Sequence, residues 1–340
     1  MLKLNMLSSA EKVKGQGVGS AYREFINLLN NDDSNTYELT INKNIKADIT
    51  HYHTVDFLFY LSTFSRKKRG IRVGHVHFLP ETLEGSLQLP FLVKKIFNKY
   101  LLSFYKRMDG LVVVNPSFIP KLEAHGIKKE KVTYIPNFVA KKDFYPMGIQ
   151  EKLAIRETLS IPEDTFVVIG AGQIQHRKGI LDFIAVSKQL PQVQFIWVGG
   201  FSFGKMTAGY EELKKIFDHP PNNVHFTGII DRASMNDYYN VSDLLFMPSY
   251  NELFPMTILE AMSSGIPILT RDLELYEAIL EGYYIKGHTI AEFAASIERL
   301  RLNQDNYQDA KEKAREGAQY YSEERIWSIW KDYYHEIYRN

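Results

Sequence analysis

The second half of the chain alternates short apolar runs with stretches of helical periodicity, and this pattern restricts the possible folds more than any other feature. The apolar runs begin at Thr165, Val193, Val224 and Asp243, and glycine, proline or polar residues end each of them. Strands that are joined through helices pair in parallel and are covered on both faces, so they are apolar throughout. We therefore predict a doubly wound α/β fold with a parallel sheet.

The first half repeats this pattern, and a length of 340 residues exceeds that of one ordinary domain. Residues 2–7 are predicted to form a strand, followed by a glycine-containing loop and a helix with an apolar face. A shift in composition with nearby prolines indicates a linker at Tyr145 and Pro146. We predict an N-terminal domain over 1–143, a C-terminal domain over 144–320, and a terminal helix over 321–340.

The two halves carry opposite net charges. Residues 1–143 contain 22 Lys+Arg against 13 Asp+Glu, whereas the remainder contains 19 against 27. Cations concentrate in residues 65–72 and along a predicted amphipathic helix over 91–107. Such a helix binds an anionic bilayer, although a core helix with a solvated basic face has the same pattern. The acidic second half argues against nucleic acid. We predict an anionic membrane surface as the partner of Arg66, Lys67, Lys68, Arg69, Lys94, Lys95, Lys99, Lys106 and Arg107.

Cysteine content and hydropathy exclude several classes of protein. The chain has no cysteine, which excludes a disulfide scaffold, a thiolate zinc site and a cysteine nucleophile. Its first residues have too short an apolar core for a signal peptide, and no uncharged apolar run is long enough to span a bilayer. We expect a cytoplasmic protein that is peripheral on the inner face of the plasma membrane.

The stretch from Met247 to Leu269 contains a strand, a loop with Glu252 and a helix with Glu260. The helix begins after Pro255, and its unpaired N–H groups form an anion site facing the loop. An anion held between two carboxylates that bind hydroxyl groups matches a nucleotide sugar. Two solvated surface acids are the alternative interpretation.

Two further stretches supply candidate ligands for a diphosphate. Arg177 and Lys178 lie between a predicted strand and a predicted helix, where a diphosphate meets a helix N-terminus. Gly15, Gly17 and Gly19 allow the backbone to approach a ligand closely, or form a tight turn without one.

Two predicted strands end in a His-x-His sequence, formed by His51 and His53 and by His75 and His77. Alternation places both histidines of each pair on the same side of the strand. No acidic or cysteine partner occurs at metal-ligand spacing, so we predict no metal site. For His75 and His77 we expect a polar contact with the nucleotide-sugar donor or with the acceptor of its sugar. Ordinary core histidines are the alternative.

In their order these features resemble the retaining glycosyltransferases of family four, which have the GT-B architecture of two Rossmann-like domains facing a cleft. The likeness covers nearly the whole chain. It rests on Gly17-Val18-Gly19, the HVH at 75–77, the IPNFV at 135–139, the loop from Gly172 to Gly179, and Glu252 and Glu260 followed by AMSSGIPIL.

The resemblance implies a role for each matching residue. Glu260 resembles the acid that binds the ribose hydroxyls, Glu252 the acid near the transferred hexose, and Lys178 the lysine that pairs with the diphosphate. The 17–19 loop would approach the diphosphate and the acceptor, and His77 the sugar and reaction centre. The terminal helix over 321–340 would cross back to the N-terminal domain. The implied catalytic residues are Glu252, His77 and Lys178, and the implied donor-binding residues are Gly17, Gly19, Arg177, Lys178, Glu252, Phe254, Thr257 and Glu260.

The chain also departs from the family pattern at two points. Gln173 stands where the family has an arginine, and Glu252-Leu253-Phe254-Pro255 stands where it has Glu-Gly-Phe-Gly. The absence of an Asp-x-Asp sequence agrees with a metal-independent enzyme that has no cofactor and uses a UDP-sugar as its donor substrate.

Within the family, KVKGQGVGSAY and HVHFLPETLEGS resemble the bacterial enzymes that add a second hexose to monoglucosyl-diacylglycerol. This resemblance implies transfer of glucose or galactose from a UDP-sugar to that glycolipid acceptor, with retention, which gives an α-linked dihexosyl lipid. A soluble, capsule or cell-wall glycan acceptor, a UDP-sugar epimerase, and a non-catalytic nucleotide-sugar or membrane-binding module remain alternatives.

Overall fold

A computed structural model describes residues 1–10, 17–32, 36–81, 90–202, 204–252, 254–280 and 282–339. The chain forms two compact units, one made of Met1–Phe138 with Glu323–Asn340 and the other of Val139–Ser322. These units begin and end a few residues from the predicted domain limits, at Val139 rather than 144 and at Glu323 rather than 321. The C-terminal segment is part of the first unit.

The first unit contains a parallel sheet of six described strands in the order β2-β1-β3-β4-β5-β6. Strand β1 runs over the predicted residues. Because β2 and β3 lie on opposite sides of β1, the direction of winding reverses between β1 and β3. The strands are β1 Leu2–Leu7, β2 Tyr37–Ile41, β3 Ile49–Tyr52, β4 Ile71–Val76, β5 Gly110–Val113 and β6 Val132–Tyr134.

The helices of the first unit include the predicted basic helix, which ends one residue earlier than expected. Within Met1–Phe138 the described helices are α1 Gly17–Asn30, α2 Phe57–Ser62, α3 Arg66–Arg69, α4 Phe91–Lys106 and α5 Phe118–Ala124, with a 3-10 turn at Lys129–Lys131. Among the described residues, no helix is long and apolar enough to cross a membrane.

The second unit contains the predicted parallel sheet, again with six described strands, in the order β12-β11-β10-β7-β8-β9. The winding reverses between β7 and β10, which pair through Leu244 with Val168 and Leu245 with Ile169. The strands are β7 Val167–Ala171, β8 Gln194–Val198, β9 Val224–Gly228, β10 Leu244–Met247, β11 Ile268–Arg271 and β12 Ile285–Gly287.

Helices cover this second sheet, and its core is built around aromatic side chains such as Phe183, Phe195 and Trp197. The helices are α6 Ile149–Thr158, α7 Ile180–Gln189, α8 Tyr210–Asp218, α9 Met235–Val241, α10 Met256–Ser263, α11 Glu274–Leu280, α12 Ile290–Leu302 and α13 Gln304–Tyr320, with 3-10 turns at His176–Lys178, Gly204–Met206 and Arg232–Ser234. Two parallel doubly wound sheets are the fold that the sequence predicts.

The last helix, α14 Glu323–Arg339, packs on the first unit through its aromatic face. Its side chains Trp327, Trp330, Tyr333 and Tyr334 are all buried, as their spacing predicts. The Trp330 ring lies 4.4 Å from that of Phe25 in α1, measured between centroids. Helix α14 is therefore part of the core of the first unit.

Candidate active site

The predicted donor residues of the second unit lie where its sheet changes direction. Strand β7 ends at Ala171 and β10 ends at Met247, and these neighbouring strands are followed by the loops with Lys178 and with Glu252. The carboxyl edge at such a reversal is where open α/β sheets bind ligands, because the loops on either side diverge and leave a crevice. The fold thus joins two stretches that are far apart in sequence.

Gly179 allows these two loops to lie in close contact. Its φ of +73° lies in the left-handed region, and a Cβ atom here would come within 2.4 Å of the Pro248 carbonyl oxygen. The Tyr250 N–H donates to the Arg177 carbonyl over 2.8 Å, which ties the loops together. Any larger residue at position 179 would push them apart.

Lys178 and Glu252 form an ion pair through Nζ and Oε1. The two side chains are only 11% and 7% exposed. Burial lowers the pKa of the Lys178 ammonium group despite attraction from Glu252, and Arg177 adds to the lowering. The pair therefore places one cation and one carboxylate, both poorly hydrated, at the edge of the sheet.

A chain of hydrogen bonds in the same two loops includes Gln173, the residue that departs from the family pattern. The Gln175 Nε2 donates to Gln173 Oε1 over 2.9 Å, and Arg177 Nε donates to Gln175 Oε1 over 2.8 Å. Arg177 Nη1 also reaches the Asn251 carbonyl at 3.4 Å. Gln173 is therefore linked to Arg177 through Gln175, and Arg177 connects the two loops.

Glu260 is held by two side chains that the sequence analysis did not identify. Arg232 Nη1 lies 2.5 Å from Glu260 Oε1, and the Tyr239 hydroxyl donates to Glu260 Oε2 over 2.9 Å. Glu260 is 3% exposed, so these partners compensate a buried carboxylate. Burial raises the pKa of Tyr239 well above its ordinary value, and Glu260 raises it further. No spacing in the sequence connects Arg232 or Tyr239 to this acid.

Helix α10 begins as the sequence predicts, after Pro255 and with Glu260 inside it, while Glu252 stays in the loop. The first turn of α10 contains Thr257, whose hydroxyl lies 3.1 Å from the Met247 sulfur. Phe254 is buried, with its ring 5.2 Å from that of Tyr321. Its side chain is thus part of the core, which leaves its backbone as the group for ligand contact. Leu253 lies outside the described residues.

The carboxyl edge of the first sheet gathers all four histidines of the two His-x-His sequences. The His75 and His77 rings stack with centroids 4.3 Å apart and planes within 6°, and His51 stacks on His75 at 5.5 Å. His77 Nε2 lies 3.2 Å from both ring nitrogens of His53, and His51 Nδ1 lies 2.6 Å from the Tyr334 hydroxyl. Alternation along β3 and β4 predicts each pair, but only the parallel pairing of these strands brings the pairs together.

These histidines are buried and neutral. Burial lowers the pKa of His51 and of His77 to about 3, and His77 adds to the lowering for His51. Burial also lowers the pKa of His53 and His75 well below 6.5. Such a cluster is uncharged over the physiological range.

The nitrogen atoms of His53, His75 and His77 lie within 4.8 Å of one another, close enough to be considered as metal ligands. However, imidazole binds a metal in the plane of its ring, and the His75 and His77 planes are stacked in parallel. Their lone pairs therefore do not converge on one point without rotation of a ring. The arrangement favours packing over metal coordination.

Gly17 and Gly19 lie in the first turn of α1, whereas the glycine-rich sequence predicts a loop here. No atom lies within 4 Å of a Cβ built at Gly17, so the described surroundings do not require glycine there. The two residues still present helix N–H groups beyond the carboxyl end of β1. Gly15 lies outside the described residues.

Most of the predicted membrane cations lie at the surface of the first unit, but Arg69 does not. It is 6% exposed and donates to the Lys43 carbonyl at 3.3 Å and to the Asn44 side chain at 2.9 Å. The prediction that Arg69 faces a membrane is wrong, because these contacts turn it inward. Arg107 is half-buried and donates to Thr63 Oγ1 over 2.6 Å. The other predicted cations, all exposed or half-buried, are Arg66, Lys67, Lys68, Lys94, Lys95, Lys99 and Lys106.

Comparison with solved structures defines the class of fold. The chain superposes on sucrose-phosphate synthase of Thermosynechococcus elongatus with a TM-score of 0.81 at 16% identity, over 100% of both chains. It superposes on Anabaena HepE, solved with UDP and glucose, with a TM-score of 0.79 at 16% identity, over 98% of this chain and 100% of HepE. Both likenesses indicate a GT-B glycosyltransferase fold.

Sequence comparison then gives the family. Residues 27–142 match the model of Glycosyltransferase Family 4, and residues 151–317 match that of Glycosyl transferases group 1. The chain is 52% identical to the alpha-galactosylglucosyldiacylglycerol synthase of Streptococcus pneumoniae, over 98% of this chain and 89% of that protein. It is 28% identical to the processive diacylglycerol alpha-glucosyltransferase of Acholeplasma laidlawii, over 81% and 78%. The chain belongs to the GT-B glycosyltransferases of family four, in the group of the diglycosyl-diacylglycerol synthases, as the sequence resemblance indicates.

Proposed function

We propose that this protein is a retaining transferase that moves a hexose from a UDP-sugar to monoglucosyl-diacylglycerol at a membrane surface, which forms an α-linked dihexosyl glycolipid. The observation that carries the proposal is the Lys178–Glu252 pair at the winding reversal of the second sheet, where Glu252 lies in the loop that leads to Glu260. The name of the pneumococcal relative favours galactose as the transferred hexose.

The two carboxylates suit the two ends of a nucleotide sugar. Glu260 is fixed by Arg232 and Tyr239 and would accept hydrogen bonds from ribose hydroxyls. Glu252, in the loop, would accept hydrogen bonds from the hexose. The start of α10 lies between these acids, and the unpaired N–H groups of its first turn face the loop that contains Glu252.

When the hexose leaves UDP, negative charge develops on the diphosphate. Positive potential near the diphosphate stabilises this charge more than proton transfer would. Lys178 is the closest cation to Glu252, and a bound diphosphate would give its ammonium group a second anionic partner. The first N–H groups of α7, which begins directly after Gly179, add a favourable dipole. Groups fixed in a site with little water stabilise developing charge without reorganising, which is why we propose catalysis without a metal or a cofactor.

In the first unit, His77 would contact the transferred sugar as a neutral imidazole. Its low pKa keeps it uncharged, so it can exchange hydrogen bonds with hydroxyl groups without competing for the diphosphate. The exposed cations of α3 and α4 would hold the protein on anionic lipid, where the acceptor headgroup lies. We propose that the protein acts as a cytoplasmic, peripheral membrane enzyme.

The test is transfer from labelled UDP-galactose and UDP-glucose, in parallel, to monoglucosyl-diacylglycerol in anionic vesicles and in detergent, with a lipid-free control. We expect a dihexosyl lipid whose new linkage is α by NMR, at a rate unchanged by a chelator. Transfer only to a soluble glycan would assign a different acceptor. Conversion of the UDP-sugar without any acceptor would indicate an epimerase instead.

A further inference from the structure

Helix α2 of the first unit exposes large apolar side chains that the proposed function does not use. Phe57 is 63% exposed, Leu58 74% and Leu61 48%, and Phe64 directly beyond the helix is 60% exposed. The helix has no buried residue at all, so these side chains contribute little to the core. An exposed apolar group of this size indicates a binding surface.

A second exposed apolar group lies on α4, which contacts α2. The Tyr60 hydroxyl lies 2.9 Å from Ser103 Oγ, and the Tyr60 and Tyr100 rings are 5.2 Å apart. The first half of α4 projects Leu92 and Ile96, which are 70% and 69% exposed. Both helices of this contacting pair therefore present apolar side chains to solvent.

Cations lie among the apolar residues on α4 and follow those of α2 along the chain in α3. Lys95 and Lys99 are exposed on α4, between and after its apolar residues. Helix α3 follows α2 directly, and its Arg66 and Lys67 line an open groove of about 320 Å³ together with Lys46. The groove also contains Asp48 and Tyr338, so its lining is mixed but carries more positive than negative charge.

We infer that α2 is an insertion element, and that Phe57, Leu58, Leu61 and Phe64 enter the interface of an anionic lipid bilayer while the cations of α3 and α4 pair with lipid phosphates. Apolar side chains next to basic ones are the chemistry that recognises such a surface. A protein partner would have to offer both an apolar face and a dense anionic rim. This inference rests on the proposed docking at a membrane. It adds the insertion of apolar side chains, which is a contribution to binding that does not depend on charge attraction.

The cysteine-free chain allows a direct test in the full-length protein. A single cysteine is placed by L58C or, as a control, by L302C, because Leu302 is 67% exposed at the end of α12 in the second unit. Each variant is labelled with an environment-sensitive fluorophore and mixed with anionic or zwitterionic vesicles. We expect a blue shift, and quenching by spin-labelled lipid, for the label at position 58 alone and only with anionic vesicles.

A second variant separates insertion from charge attraction. The L58Q/L61Q double variant should bind anionic vesicles at least about tenfold more weakly at high salt, where ionic attraction is screened. Its transfer to acceptor in detergent should match that of the unaltered chain. Transfer in detergent tests the proposed reaction, and vesicle binding tests the inference. Failure of one can therefore be distinguished from failure of the other.

Three results would overturn the inference. Vesicle binding without a spectral change at position 58 would leave attraction by cations as the whole interaction. A blue shift that depends on protein concentration and needs no vesicles would assign the surface to a second copy of the chain. An absence of vesicle binding would remove the bilayer as the partner, even if transfer in detergent persists.

Discussion

Lys178 and Glu252 lie 74 positions apart in the chain, and the second sheet brings them into a buried ion pair. Each belongs to the loop after a different strand, and the two strands are direct neighbours. A buried pair of this kind is costly to break, because removal of one charge leaves the other without compensation, at roughly 3–5 kcal/mol. Substitution of either residue therefore tests the site and the local stability together.

We predict that Glu252→Gln lowers kcat/KM for sugar transfer by at least about 100-fold while the protein remains folded. Gln keeps the size of the side chain, and Lys178 can lose its proton because burial already lowers its pKa. Steady-state transfer and thermal unfolding are the measurements. Asp309→Asn is the control, since Asp309 pairs with Lys313 on an exposed face of α13. A Glu252→Gln variant with nearly full activity would refute the assignment of this site.

Tyr239→Phe should weaken UDP binding while leaving the fold intact. The substitution removes the hydroxyl that donates to Glu260 Oε2. Of the two described side-chain partners of Glu260, Arg232 then remains. Loss of a hydrogen bond to a buried charged group costs about 1.5–3 kcal/mol of stability. Calorimetric titration with UDP and urea unfolding measure the two effects. Tyr238→Phe, at a half-buried neighbouring position, should change neither, and equal UDP affinity in both variants would count against Glu260 as the ribose ligand.

Gly179→Ala should impair both stability and transfer, because it introduces two kinds of strain. A left-handed conformation costs a non-glycine residue roughly 1–2 kcal/mol, and here the added Cβ would also meet the Pro248 carbonyl oxygen. Gly282→Ala is a matched control, since Gly282 has φ +86° but no atom of the described residues lies within 4 Å of the added Cβ. Thermal unfolding of both variants isolates the effect of the contact. Equal losses in the two variants would show that Pro248 yields and that the loops tolerate separation.

Acid should destabilise the first unit through its buried histidines. The unfolded chain takes up protons on histidine below about pH 6.5, whereas folded His51 and His77 resist protonation until about pH 3. The unfolded state therefore binds more protons in this window, and stability falls as the pH falls, by up to about 1.4 kcal/mol per pH unit for each such histidine. Urea unfolding between pH 7 and pH 4 measures the slope.

The variant His75→Phe tests the same explanation. Among the described residues, neither ring nitrogen of His75 has a hydrogen-bond partner, so Phe can keep the stacking on His51 and His77 without a group that titrates. We expect a smaller loss of stability on acidification than in the unaltered chain. An unchanged slope would show that His75 does not contribute to the pH dependence.

Much of the fold follows from local pattern alone. The continuous apolar runs predict the buried parallel strands, and Pro255 predicts where α10 begins, because it lacks an N–H that this position does not need. Spacing also separates Glu252 in the loop from Glu260 in the helix. These features depend on residues close in sequence, whose periodicity and backbone preferences act before any tertiary contact forms.

Other features could not be read from local pattern. Arg69 belongs to a run of four cations, yet it turns inward because Lys43 and Asn44 offer it hydrogen-bond acceptors. Arg232 and Tyr239 come from outside α10 and reach Glu260 from 28 and 21 positions away. The sequence indicated neither the exposure of α2 nor the joining of the histidine pairs into one cluster.

The sequence by itself determined two parallel sheets, many of their strands and helices, and the identity of the residues at the ends of β7 and β10, because hydrophobic periodicity and helix termination are local properties. Only the tertiary structure decided which of these residues meet. The order of strands in a sheet sets which loops are neighbours, and that order depends on packing between distant segments. The pairing of Lys178 with Glu252 is thus a consequence of β10 lying beside β7.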